Sequence, residues 1–223
     1  MKTFLKILVC ASLAFHFPLS TFLSASAQIK HSSQGRLDEN ATAALNKAVK
    51  KLDNVSFTVK MTALDSQKKK VFEREAEVKY MGKKYSLVTA EEEIRCDGKT
   101  VWFWNKKDNE VTVSSLEEDD GMNLLNPSSL IAHYNQNFRA KYIRTDDDGS
   151  AVIDLQPRSA QNYHKIRLFI NEESGELKSI EVHKYDSSRE IYNFSKHKYG
   201  KVNSTGFLFD PKAHPNVEVI DMR

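Results

Sequence analysis

Two hydrophobic periods take turns along this chain. After a polar stretch at residues 28–36, LDENATAALNKAVKKLDNVS carries Ala41, Ala44, Leu45, Ala48, Val49 and Leu52 at helical spacing. Asp38 or Asn40 stands ready to cap its start, and Lys50-Lys51 suits its end, so an amphipathic helix of about three turns is predicted. The period then drops to two. In VSFTVKMTA, Val55, Phe57, Val59, Met61 and Ala63 share a face; in VFEREAEVKY, Phe72, Ala76, Val78 and Tyr80 oppose Glu73, Glu75, Glu77 and Lys79. YSLVTA, EIRC, TVWFW and EVTVSSL read as further strands, separated by EEE and by the Asp97-Gly98 and Asp108-Asn109 turns.

EEDDGMNLL breaks this pattern. NPSSLIAHYNQNF then predicts a second helix, with Asn126 as N-cap, Pro127 at the first helical position, and Leu130, Ile131, Tyr134 and Phe138 as its apolar stripe. Strands resume in KYIRT, AVIDLQP, KIRLFIN, ELKSIEVHKY, REIYNFSKHKY, GFLFDP and NVEVIDM, with Asp146–Asp148 at a hairpin tip. The fold class is therefore mainly β (α+β). About eleven short strands form one strongly curved antiparallel sheet, or open barrel, with helices packed inside the curve.

The N-terminus changes what counts as the working chain. Lys2 and Lys6 precede an apolar run from Ile7 to Leu23, and Ala25-Ser26-Ala27 follows, the layout of a secretory signal peptide. Cleavage after Ala27 leaves residues 28–223 as a single expected domain. Lys2 and Lys6 leave with the signal, so 33 basic residues become 31 against 30 acidic ones, and the net charge falls to +1. A nearly neutral exported chain argues against nucleic-acid partners. Cys96 is then the one remaining thiol, so no internal disulfide is expected and stability must come from a packed core.

Catalytic and metal signatures do not occur. The six histidines that follow the signal include no H-E-x-x-H pair, and there is no G-x-S-x-G, CxxC or phosphate-cradling glycine loop. His183 and His197 read as exposed strand residues, and Cys96 as a buried, inert thiol. No cofactor and no metal are expected. A secreted hydrolase with dispersed catalytic residues is kept as a third class of function.

What the pattern does show is a surplus of apolar faces. A one-core antiparallel sheet alternates apolar and polar residues. Here Val101-Trp102-Phe103-Trp104 is apolar on both faces; KIRLFI sets Ile166, Leu168 and Ile170 against Phe169, and EIYNF sets Ile191 against Tyr192. A flattened sandwich accounts for this, and so does a half-barrel with an apolar concave cavity, a helical lid, and an outer surface partly covered by loops. Met61, Met81 and Met122 suit an adaptable lining.

Several stretches together resemble the LolA family of periplasmic outer-membrane lipoprotein carriers. They are the signal peptide, the first helix running into NVSFTVKMT, DGKTVWFWN, the NPSSLI helix, HKIRLFI, SIEVHKY and the closing FLFDPKAHPNVEVID. The resemblance spans nearly all of the chain after the signal, and DGKTVWFWN is its most specific part. It implies an open, unclosed barrel with two or three helices as a lid over an apolar concave face. It implies a non-enzymatic carrier that receives lipoprotein acyl chains from an inner-membrane ABC-type release complex and passes them to an outer-membrane receptor, and a monomer is expected. Each acyl CH₂ kept from water is worth ~0.8 kcal/mol, so such chains need a cover to cross an aqueous compartment. Where the family pattern places a lid-latching arginine before an R-P turn, this chain reads Val78-Lys79-Tyr80-Met81-Gly82. The latch is then a tyrosine hydroxyl or another residue. A binder of free lipid or glycolipid, or a lipid-sensing regulatory module, on the same fold is the alternative.

Alternation and helix stripes select the lipid-facing candidates: Phe57, Val59, Met61, Val78, Tyr80, Tyr85, Leu87, Trp102, Trp104, Leu130, Ile131 and Tyr134. The tryptophans enter on the expectation that Trp102 and Trp104 face the cavity while Val101 and Phe103 face the other layer. A phase error of one residue in any strand would exchange its faces.

Overall fold

The computed structural model describes residues 38–116 and 127–223. The expected signal peptide, Asn126 and Met122 lie outside them. The chain begins with α1 (Glu39–Leu52) and continues with β1 (Asn54–Leu64), β2 (Lys70–Met81), β3 (Lys84–Val88), β4 (Glu92–Cys96), β5 (Thr100–Asn105) and β6 (Glu110–Ser115). Next come the short helices α2 (Pro127–Ala132) and α3 (Tyr134–Asn137). The second run is β7 (Phe138–Thr145), β8 (Ser150–Pro157), β9 (Tyr163–Asn171), β10 (Leu177–Lys184), β11 (Arg189–Tyr199) and β12 (Glu218–Asp221).

All twelve strands belong to one sheet, ordered β12-β6-β5-β4-β3-β2-β1-β11-β10-β9-β8-β7. The first and last strands do not pair, so the sheet stays open. One buried cluster nonetheless joins Val78 and Leu87 of β2 and β3 with Ile153 and Leu155 of β8 and Phe138 of β7, far along the strand order. Those residues meet only because the sheet curls, with helices in the curve. α1 presents Ala41, Ala44, Leu45, Ala48 and Leu52 to this core. Asp38 is its N-cap and accepts from Ala41 N at 3.0 Å.

Three expectations change. Phe138 is not on a helix: α3 ends at Asn137, and Phe138 opens β7 in extended backbone while staying buried. GFLFDP is not a strand. Its Gly206 and Phe207 end a 3-10 turn at Ser204–Phe207, and its Pro211, which lacks a ladder donor, starts another at Pro211–Ala213. β12 pairs parallel with β6: β11 and β6 run in the same direction, and residues 200–217 carry the chain from β11 over the sheet's outer face to the far edge, where β12 enters in that direction again.

The outer face of β8 and β9 carries a buried ion pair. Asp154 accepts from Arg167 Nε at 2.6 Å and Nη2 at 2.9 Å, and from Lys165 Nζ at 3.3 Å. Burial pushes the Asp154 carboxyl up, but Arg167 and Lys165 together hold it below its ordinary value. A carboxylate depressed in the folded state adds stability above its unfolded value, near pH 4, and loses it as pH falls through the folded value. Asp154→Asn is expected to cost about 2–4 kcal/mol at pH 7 in urea unfolding, with the gap from the wild type narrowing below pH 4.

Candidate lipid-binding face

Strand register decides which side chains line the curve. Phe57 stands opposite Val78, Val78 opposite Leu87, Leu87 opposite Ile94, and Ile94 opposite Phe103. Cross-strand partners share a face. One apolar row therefore runs across five strands, and a second joins Tyr80 to Tyr85, with ring centroids 6.2 Å apart. Of the sequence candidates, Phe57, Val59, Val78, Tyr80, Leu87, Leu130, Ile131 and Tyr134 lie buried in one cluster, with Met61 and Tyr85 packed against it.

The tryptophans lie elsewhere. Trp104 is opposite Glu93 and Trp102 opposite Arg95, on the outer face of the sheet, so Val101 and Phe103 take the concave side. Pairing with β4 fixes this phase: Ile94 is the apolar residue that fits the core, and Phe103 is its partner. The outer face of β5 is greasy because the C-terminal crossover covers it. Phe209 and His214 pack on the Trp104 indole at centroid distances of 5.7 and 4.1 Å, and Arg95 Nη1 donates to the Leu208 carbonyl at 2.8 Å. Glu93, paired with Arg95, and Ser86 are buried beneath the same cover.

Sequence reasoning left out the far half of the concave face. Ile153 and Leu155 of β8, Ile166, Leu168 and Ile170 of β9, and Ile180 and Val182 of β10 are all within 2% of full burial. Their signal was present in the alternation of KIRLFI and SIEV; strand order supplied the juxtaposition.

The concave face is not an open groove, because the helices seat directly on it. Leu45, Ala48, Leu130 and Ile131 are at most 1% exposed. Among the described residues, two polar contacts tie α1 to the strands and their loops: Asp38 Oδ2 accepts from Tyr142 N at 2.8 Å, and Lys47 Nζ donates to the Glu172 carbonyl at 2.9 Å. Thr42 Oγ1 and the Tyr134 hydroxyl, 3.1 Å apart, join α1 to α3 within the cover. Lys51 lies 4.8 Å from the centre of the Tyr199 ring.

The titratable groups on or near this face do not form a reactive set. Cys96 is buried opposite Tyr85. Burial pushes its thiol up, against a smaller opposing effect of the Gly98 N–H, so the thiolate is disfavoured. Both histidines expected on the surface have buried side chains, and they lie on opposite faces. His183 packs on the outer face, with Nε2 2.9 Å from Glu181 Oε2. His197 is turned to the concave side by a bulge in β11 and stacks on Tyr199. Among the described residues, no group of three or more His, Cys, Asp or Glu could hold a metal ion.

Comparison with known proteins now bears on the geometry. A crystal structure of an uncharacterized conserved protein from Thermus thermophilus has a similar fold, with a TM-score of 0.56 and 11% identity over 82% of this chain and 99% of that one. A LolA superfamily protein from Nitrosomonas europaea gives a TM-score of 0.41 at 14% identity, over 77% and 98%. An outer-membrane lipoprotein carrier protein from Edwardsiella ictaluri is 29% identical over 127 residues, which is 57% of this chain and 59% of that protein's length. Residues 89–210 match the model of the outer membrane lipoprotein carrier protein family, LolA, and since that match spans more than half of the sequence, the chain belongs to the LolA family.

Proposed function

We propose that the chain, processed to a single domain from Gln28, is a non-enzymatic periplasmic carrier of lipoprotein acyl chains. It would load at an inner-membrane ABC-type release complex and unload at an outer-membrane receptor, as a monomer without cofactors. One observation carries this reading. A continuous apolar face, built by β1–β5 and β8–β10, is covered by helices, and among the described residues α1 is tied to the strands and their loops through Asp38–Tyr142 and Lys47–Glu172. Such a face binds chains of CH₂ groups by exclusion of water, at ~0.8 kcal/mol each, and asks nothing of their sequence. A cover fastened by few directional bonds can be displaced by a ligand that prefers the open state. Phe57, Val59, Met61, Val78, Tyr80, Tyr85 and Leu87 would line the acyl site, with Leu130, Ile131 and Tyr134 as the lid's underside. The deciding measurement is mass spectrometry of material that co-purifies with the exported chain. Acylated protein or peptide supports the carrier, free lipid alone favours a lipid-binding or lipid-sensing role, and an empty interior sinks both.

Two further outcomes are expected. Asp38→Ala removes both the α1 cap and the tie to Tyr142, which weakens the closed state by about 1 kcal/mol. Apparent affinity for a pyrene-labelled acyl ester should then rise about fivefold, since a larger fraction of the protein is competent to bind; unchanged affinity would mean that α1 does not move. The face assignment is checked by fluorescence. Brominated acyl chains should quench a Tyr85→Trp reporter in a chain whose native tryptophans are phenylalanine. They should leave the emission of native Trp102 and Trp104 unchanged.

A further inference from the structure

Four buried side-chain atoms make no well-aligned hydrogen bond among the described residues: Trp104 Nε1, Ser150 Oγ, His183 Nε2, which still stands 2.9 Å from Glu181 Oε2, and His197 Nε2. Strand register sorts them. Trp104, Ser150 and His183 belong to the outer face, since the residues flanking them in β5, β8 and β10 face the core. His197 is the one on the concave face.

Its position comes from a defect in strand pairing. β1 and β11 lose register between Ser56/Lys198 and Thr58/Ser195, and Lys196 takes a left-handed φ of 55°. The extra residue turns His197 from the outer side of the sheet to the inner one, as bulges commonly re-aim a side chain. There the imidazole lies 5.7 Å from the Phe57 ring and 5.8 Å from Tyr199, stacked at 11° to the latter. Its side chain is 5% exposed. Phe57 continues the aromatic row to Phe194 at 5.2 Å and Tyr80 at 6.0 Å, so the ring stands at the end of the acyl-lining set. The last turn of α1 covers this end through Lys51 on Tyr199.

The two nitrogens have different surroundings. Nδ1 is 3.7 Å from Glu176 Oε2, the oxygen that also accepts from the Tyr199 hydroxyl at 2.9 Å. A carboxylate beside Nδ1 favours the proton on that nitrogen, which leaves Nε2 with a lone pair and no donor. Burial lowers the His197 pKa, with Glu176 and the Leu177 backbone opposing it, so the neutral ring is the resident form. A buried acceptor without a donor is costly, and a ligand that brings one gains what the apo protein forgoes.

We propose that His197 is the polar terminus of the acyl site, where Nε2 accepts a hydrogen bond from an N–H or O–H that a lipid carries where its acyl chain joins its headgroup. The inference rests on the acyl-binding reading above and adds selectivity to it. An acyl amide or a glyceride with a free hydroxyl offers such a donor. A simple ester does not.

The test is displacement of a pyrene-labelled acyl ester from the exported chain by three ligands of equal acyl length. These are N-dodecanoyl-glycine methyl ester, 1-dodecanoyl-glycerol, and the donorless ester formed when oxygen replaces the glycine N–H. Wild type should bind at least one of the donor-bearing ligands roughly tenfold more tightly than the donorless ester. Whichever donor wins identifies the source as N-acylated or glyceryl. His197→Phe should bind all three with the donorless ester's affinity, and His197→Gln, which keeps an acceptor, should restore part of the preference. Equal affinities in wild type, or a preference that survives in His197→Phe, overturn the role of His197 while leaving acyl binding intact. Failure of all three to displace the probe overturns the acyl-binding reading itself, and this inference with it.

Discussion

The seating of α1 in the concave face is the contact on which the rest of the structure depends. An open sheet of twelve strands has no closure to hold its curvature. Something must fill the curve, or the apolar rows of β1–β3 and β8–β10 would face water. α1 does this with a small-residue face: Ala41, Ala44 and Ala48 bring its backbone close to the strands, and Leu45 and Leu52 fill the space between. The approach is tight where the β9–β10 turn passes. A Cβ placed on Gly175, whose φ is +74°, would stand 3.0 Å from the Lys47 backbone. Only glycine serves both that conformation and that distance. The loop, the helix and the sheet thus fix one another.

A second consequence of an uncovered sheet is that its outer face needs attention too. In one half, residues 200–217 lie over it, bury Glu93 and Ser86, and pack on the half-buried Trp104 ring. In the other half no segment among the described residues plays that part, and charged side chains cover the face instead: Asp154 with Arg167 and Lys165. Long side chains lie along the sheet and cover apolar surface with their stems while their heads pair. Two halves of one sheet therefore solve the same exposure problem with different chemistry.

Much of this was legible in the sequence, and the illegible parts have a common cause. The first helix and most strands follow from periodicity, because each depends on residues within a turn or two, and the structure chose Asp38 over Asn40 as the helix cap. Face assignment within β5 does not. Four consecutive large apolar residues carry no alternation, so the phase of Val101-Trp102-Phe103-Trp104 was undetermined until Ile94 paired with Phe103. The placement of His197 failed to show for a related reason. Alternation counted back from Phe194 sends it outward, and only the extra residue in β11 reverses it. Phe138 was misread because its spacing from Tyr134 fits a helix, whereas its neighbours Arg139 to Thr145 fit the edge strand that it begins. In each case local pattern allowed two answers, and a partner distant in sequence chose.

The same geometry bears on how a closed interior can serve the carrier role proposed above. Burying a Leu or Ile side chain is worth about 1.5–3 kcal/mol, so lifting α1 and α2 into water would expose Leu45, Leu130 and Ile131 at a cost no handful of polar contacts explains away. Loading need not expose them. An acyl chain sliding between helix and sheet replaces one apolar neighbour by another, and both surfaces stay dry. The helices then change partners rather than solvent, and what must break is the polar fastening at Asp38 and Lys47. The Lys47 bond is exposed and the Asp38 bond only part-buried, so both can be remade to water at small net cost. On this view the apolar area sets how much lipid the face can hold, and the few polar ties set how readily it opens. Strength of binding and ease of release are then governed by different residues, which is what the proposed carrier role requires.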